Sequence, residues 1–148
     1  MKIFKQTVGE VQLNYKPTQI QKVQIRSSSE AWKYLLTIWS DKIEFIEEFY
    51  IILLNRANNS IGFFKLSEGG TSGTVVDEKL LFQAAIISNA CSLILAHNHP
   101  SGNLKPSAAD SNITKKLKTI GDFHSIKILD HVIVTKEGYF SFADEGLL

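Results

Sequence analysis

A mixed α/β domain built around one sheet is the fold class that this 148-residue sequence predicts. Phe49 to Leu54 and Leu93 to Ala96 are apolar at every position, as strands covered on both faces are. Amphipathic stretches with helix-start signals lie around them. A hydrophobic content of 44% over this length suffices for one core, and the chain is short for two.

In chain order, residues 1–40 are expected to form short strands and a helix packed on the same domain, and residues 41–148 its core. Val11-Gln12-Leu13 and Val23-Gln24-Ile25 alternate as short strands do. Ser27 and Glu30 form a capping-box pattern ahead of Ala31, Leu35 and Ile38, which predicts an amphipathic helix ending near Ser40. Asn58-Asn59 suits the turn from the Phe49 strand into a partner strand, Ile61 to Leu66. Asp77 caps a helix running to about Asn89, and the Leu93 strand then delivers His97 at its C-terminal end. Pro106-Ser107 opens a helix with Ile113, Leu117 and Ile120 at helical spacing. Ile126 to Leu129, His131 to Thr135 and Tyr139 to Phe142 read as closing strands.

The chemistry concentrates in His97-Asn98-His99-Pro100 and in Ser107 and Asp110 beyond it. Two imidazoles one residue apart point the same way when the backbone between them is extended, and Asp110, eleven residues after His99, supplies a third ligand. Structural zinc sites are closed by four protein ligands, usually including cysteines, whereas catalytic sites keep three and leave a position for water. One cysteine and four histidines suit the second kind. Ser107 at the N-cap and Asp110 at the third helical position fit a plain helix cap. Yet Asp110 also falls on the apolar stripe, seven residues before Leu117, where a carboxylate needs a partner.

Glu47 and Glu48 open the first buried strand. Extended chain sets Glu47 on the face of Phe49, Ile51 and Leu53, and Glu48 on the other. Because both faces are apolar, the residues alone leave open which glutamate is the general base.

The string from His97 to Asp110 resembles the JAMM (JAB/MPN) metalloprotease motif, in the form carried by the bacterial RadC family, historically called DNA repair proteins. Thr114, Leu129-Asp130-His131-Val132-Ile133-Val134, Tyr139-Phe140-Ser141-Phe142-Ala143 and Glu145-Gly146 extend the resemblance, and Glu47-Glu48-Phe49 followed by Asn55 resembles the family's Glu-x-Phe strand. The likeness runs from about Glu47 to the C-terminus. It implies a JAB/MPN-like, cytidine-deaminase-like mixed sheet flanked by helices, with zinc on His97, His99 and Asp110. It also chooses Glu47 as the catalytic base. The chain is expected to be one of the short members without the family's N-terminal helical segment. It departs from the family where Glu78-Lys79-Leu80 stands in place of the usual Pro-Arg-Glu.

Zinc lowers the pKa of bound water to roughly 7, so a nearby carboxylate suffices to take its proton. Glu47 would accept that proton and return it to the leaving amine, with Ser107 hydrogen-bonding the oxyanion. The expected function is therefore a zinc metallohydrolase cleaving a peptide, isopeptide or related amide bond. The alternative is a DNA repair or recombination accessory, a DNA- or protein-binding module whose metal is mainly structural and whose Lys105, Lys115, Lys116 and Lys118 contact DNA.

A formal charge of +1 gives no general pull toward nucleic acid, so any such contact would be local. No apolar run approaches the ~20 residues of a membrane span, and Met1-Lys2-Ile3-Phe4 lacks the pattern of a signal peptide. A lone Cys91 cannot form an internal disulfide; it reads as a small buried hydrophobe, and the compartment as bacterial cytoplasm. His131 reads as a hydrogen-bonded sheet histidine and His124 as a solvent-facing loop residue. Gly69-Gly70-Thr71-Ser72-Gly73 lacks the Gly-Lys-Ser/Thr of a phosphate loop and reads as a turn or a substrate-edge loop. The contiguous His-Asn-His is not the HNH nuclease signature, whose residues are dispersed.

Overall fold

The structure, a computed structural model, describes residues 7–69 and 75–148. Met1-Lys2-Ile3-Phe4 and positions 70–73 of the glycine-rich turn lie outside the described residues. The elements run α1 (Ser28–Ile38), β1 (Glu48–Leu54), β2 (Ser60–Glu68), α2 (Glu78–Ile87), β3 (Ser92–Asn98), α3 (Ala108–Phe123), β4 (Lys127–Val134) and β5 (Tyr139–Ser141). The strands form one sheet in the order β2-β1-β3-β4-β5. Strand β1 is antiparallel to β2 and β3, β3 is parallel to β4, and β5 returns antiparallel on β4. This mixed sheet with flanking helices is the predicted architecture, consistent with a JAB/MPN-like fold.

Side-chain alternation divides the core in two. Phe49, Ile51 and Leu53 of β1 and Leu93 and Leu95 of β3 pack with Leu81, Phe82 and Ala85 of α2 and Leu117 of α3. On the opposite face, Ile52, Leu54, Ile94, Ala96, Val132 and Val134 pack with Ala31, Tyr34 and Leu35 of α1. Every residue of β1 and β3 is buried, which is why both strands read as unbroken apolar runs. The parallel step from β3 to β4 needs a crossover, and α3 supplies it. At the end of that helix, Gly121 approaches the following strand so closely that a Cβ would lie 2.4 Å from the Ile126 carbonyl oxygen.

The structure departs from the sequence expectation at three places. Residues 7–23 form no strand; Gln24 makes an isolated bridge with Asn59, and Val11 and Leu13 are exposed. Alternation specifies a strand only where a partner edge takes it up. At the start of α1, Ser27 accepts the Glu30 N–H, but the Glu30 carboxylate accepts the Arg26 N–H, one residue earlier than a capping box requires. The strands expected at 126–129 and 131–135 are one strand, because Asp130 does not interrupt it. Its buried carboxylate accepts from the His131 and Ala143 amides and from Ser141 Oγ. The sheet adjusts with a register shift opposite Leu93 and Ile94 instead. Among the described residues, no helix is long and apolar enough to cross a membrane.

Candidate metal centre

Strand parity and a helix start bring the three predicted ligands together. His97 follows Leu93 and Leu95 on the α3 side of β3, directly opposite Phe49 of β1. His99 repeats that parity just beyond the strand end. Asp110 sits in the first turn of α3, where Ser107 Oγ accepts the Asp110 N–H at 3.0 Å and Asp110 Oδ2 accepts the Ser107 N–H at 2.8 Å. That reciprocal capping box fixes the carboxylate at the helix N-terminus. His97 Nε2 lies 2.9 Å from His99 Nε2 and 3.3 Å from Asp110 Oδ1, and His99 Nε2 lies 3.5 Å from Asp110 Oδ2. Among the described residues, these three offer ligand atoms all within 4.8 Å of one another.

The hydrogen bonds behind the imidazoles assign their tautomers. Thr114 Oγ1 donates its one proton to the Asp110 carbonyl at 2.7 Å, so it can only accept from His131 Nδ1, 2.6 Å away. His131 Nε2 is then an acceptor, and His97 Nδ1–H donates to it across 2.8 Å. His99 Nδ1–H donates to the Asn103 carbonyl at 2.5 Å. Both Nε2 lone pairs therefore face each other and the Asp110 carboxylate, an arrangement that repels itself unless a cation or a proton sits among them. Two Nε2 atoms and a carboxylate oxygen suit a divalent metal of the zinc type, and both outer nitrogens carry the second hydrogen bond that metal-binding histidines use.

The electrostatics follow from the same contacts. Burial would raise the Asp110 pKa, yet a proton placed on the facing nitrogen of His97 or His99 makes that ring a donor to the carboxylate, which holds it far below the carboxylate range. The Asp110 carboxylate raises His99 above its ordinary 6.5 against desolvation, and the charge of Glu47 adds to the effect. His131 is wholly buried; burial first, and then the other imidazoles, push its pKa well below 6.5. It is thus held as a neutral acceptor.

Glu47 lines a cavity of about 170 Å³ together with Phe49, Val76, His97, Asp110 and Ile113. Glu48 points to the other face, where its fully buried carboxylate pairs with Lys65 and accepts from Ser40 Oγ at 2.7 Å. A cleft of about 400 Å³, lined by His99 together with Glu44, Ser101, Lys136 and Glu137, also borders the site. Ser107 is exposed. Its oxygen already serves the cap, and its own proton remains available to donate. A larger cavity, about 530 Å³ between residues 14–22, β2 and α2, contains none of these residues.

Residues 25–147 match the family described as RadC-like JAB domain. The chain belongs to that family. It is 52% identical over 101 residues to a UPF0758 protein of Flavobacterium johnsoniae, covering 68% of this chain and 44% of the relative. A UPF0758 protein of Porphyromonas gingivalis is 42% identical over 69% of the chain and 45% of its own length. That of Chlorobium chlorochromatii is 36% identical over 92% of the chain and 60% of its own length. The chain thus spans about half the length of the curated relatives it matches.

Within this RadC-like JAB domain, the remaining sequence candidates separate clearly. Cys91 is a free, half-buried thiol at the start of β3, outside the ligand cluster. His124 caps the end of α3 with its ring against Phe82. Lys105, Lys115 and Lys118 are exposed, while Lys116 is paired with Glu78 of the Glu78-Lys79-Leu80 departure. Residue reasoning alone passed over Thr114 and Asn98. Both are wholly or almost wholly buried polar groups. A polar residue at an apolar position of a strand or helix face is the signal that would have found them.

Proposed function

We propose that this RadC-like JAB domain is a zinc-dependent hydrolase of peptide, isopeptide or related amide bonds. The observation that carries the reading is the set of Nε2 lone pairs on His97 and His99 converging on Asp110, with Glu47 in the same cavity. When bound, zinc supplies Lewis acidity, polarising a carbonyl and acidifying water near neutral pH. His97, His99 and Asp110 would hold it. Glu47 is the one carboxylate of the cavity that is neither helix cap nor candidate ligand, which suits it to take a proton from water and return it to the leaving amine. Ser107 Oγ–H is available to the developing oxyanion while its lone pair caps α3. Two cavities border the ligand set, one lined by His97 and Asp110 and the other by His99, and offer room for substrate chain. Metal analysis of untagged protein tests the reading first: about one zinc per chain is expected, with loss in His97→Ala. Substoichiometric metal unchanged by that substitution removes its basis. Salt-dependent DNA binding without amide hydrolysis by the zinc-loaded protein would favour the accessory role instead.

A further inference from the structure

We propose that Asn98 is the positioning residue that sets Glu47 against the metal ligands, an inference that rests on reading Glu47 as the general base. His97 and His99 turn toward α3, so the residue between them turns to the opposite face with Ile94 and Ala96. A carboxamide buried there must satisfy its own polar atoms. Asn98 does so on the segment leading into β1. Its Oδ1 accepts the Glu48 N–H at 2.7 Å, and its Nδ2 donates to the Ile46 carbonyl at 2.8 Å and the Ile43 carbonyl at 2.7 Å.

The Ile46 carbonyl belongs to the peptide before Glu47, and the Glu48 N–H to the peptide after it. One side chain therefore fixes both peptide planes that meet at the Glu47 Cα. Backbone pairing of β1 with β3 ends at Phe49 and His97, and one step further the Asn98 side chain takes its place. From the other side, the Gly69 N–H donates to the Glu47 carbonyl at 2.8 Å. The strand that carries the two histidines thus holds the backbone of the base as well. A positional error of about 1 Å at such a group is costly to catalysis, so the tether has a functional use beyond closing a turn.

The test is a double-variant comparison on the full chain loaded with cobalt(II) alone, following the pH dependence of its visible absorption. Glu47→Gln removes a charge beside the metal site and should move the titration midpoint by about half a pH unit or more. Asn98→Ala should retain about one metal per chain and move the midpoint in the same direction. The Glu47→Gln/Asn98→Ala double variant should titrate with Glu47→Gln alone, because a displaced base has no further effect once removed. A folded Asn98→Ala with the wild-type midpoint, or a double variant showing the sum of both shifts, overturns the positioning role. Asn98→Ser, which leaves a smaller void and keeps one polar atom, carries the same comparison if the alanine variant does not fold. A Glu47→Gln midpoint equal to wild type overturns the base assignment and this proposal together; a shift there with none from Asn98 overturns the proposal alone.

Discussion

His131 Nε2 stands 2.8 Å from His97 Nδ1 and, being neutral and held from behind by Thr114, can only accept. A residue of β4 thereby dictates which nitrogen of a β3 histidine faces the candidate metal site. His131→Gln should leave the three ligands in place but weaken zinc binding by roughly tenfold to a hundredfold, as loss of such outer partners does elsewhere. Competition against a chelator measures it, and unchanged affinity would remove His131 from the metal site.

His99→Ala and Asp110→Ala should lose zinc and the thermal stabilisation that zinc confers, whereas Glu47→Gln keeps both. Zinc at a hundred times its Kd should add about 2.7 kcal/mol to the wild type. Melting with and without chelator is the comparison. Zinc-dependent stabilisation persisting in Asp110→Ala would count against the ligand set. Full activity in Glu47→Gln would count against the base.

The capping box at α3 gives Ser107 two separable duties. As a cap, Ser107→Ala should cost roughly 0.5 to 2 kcal/mol, and both Ser107→Asp and Ser107→Asn should restore it. As an oxyanion donor, Ser107→Ala should lower kcat by roughly a hundredfold or more with metal retained, and only asparagine, which has a proton to give, should recover part of the rate. Equal turnover in the aspartate and asparagine variants, with stability restored in both, would leave Ser107 a cap alone.

Much of this arrangement was legible in the chain, and its gaps have physical causes. The His97–His99–Asp110 cluster follows from strand parity and helix-cap chemistry, both local rules that spacing records. The continuity of β4 across Asp130 was not legible, because two groups that satisfy its carboxylate, Ser141 Oγ and the Ala143 amide, come from the end of β5 and the turn after it. Parity sets the two glutamates on opposite faces, but that Glu48 is tied up in an ion pair depends on a partner as distant as Lys65. Residues 11–13 carry a strand pattern without a strand, since pairing is decided by an edge elsewhere.

The pH response of stability should change sign with metal. In metal-free protein the His99 pKa is raised by Asp110. Its stabilising contribution is therefore fully present below about 6.5 and lost as pH climbs through the raised folded value. Zinc requires the neutral imidazole, so the increment it adds should grow over the same interval. His131, depressed by burial, contributes above about 6.5 and loses that contribution as pH falls below it, which keeps the two imidazoles apart in the record. Melting temperatures from about pH 6 to about pH 8, in wild type and His99→Gln with and without zinc, should show the crossing. Parallel wild-type and His99→Gln curves without metal would deny His99 this role.

Gly121→Ala should destabilise the protein by roughly 1 to 3 kcal/mol despite the better helix propensity of alanine, since the new methyl meets the Ile126 carbonyl oxygen. Denaturant unfolding measures it, and a neutral or stabilising result would mean that α3 and β4 part more easily than their packing implies.

Three consecutive side chains, His97 to His99 at and just beyond the end of β3, face alternately toward the candidate metal site, toward the β1 turn, and toward the site again. Parity of this kind tolerates substitution but not counting errors. A one-residue insertion or deletion between Leu95 and His99 would exchange the roles of imidazole and carboxamide, swinging a ligand into the turn and the tether into the cavity. The loop from Pro100 to Pro106 is fixed where the Asn103 carbonyl holds His99; past that point it has to bring its two ends together, and each added residue changes the cost of closure slowly. Length variation among descendants of this domain should therefore accumulate after Asn103 and be purged before it, leaving a rigid reading frame of side chains beside an elastic one.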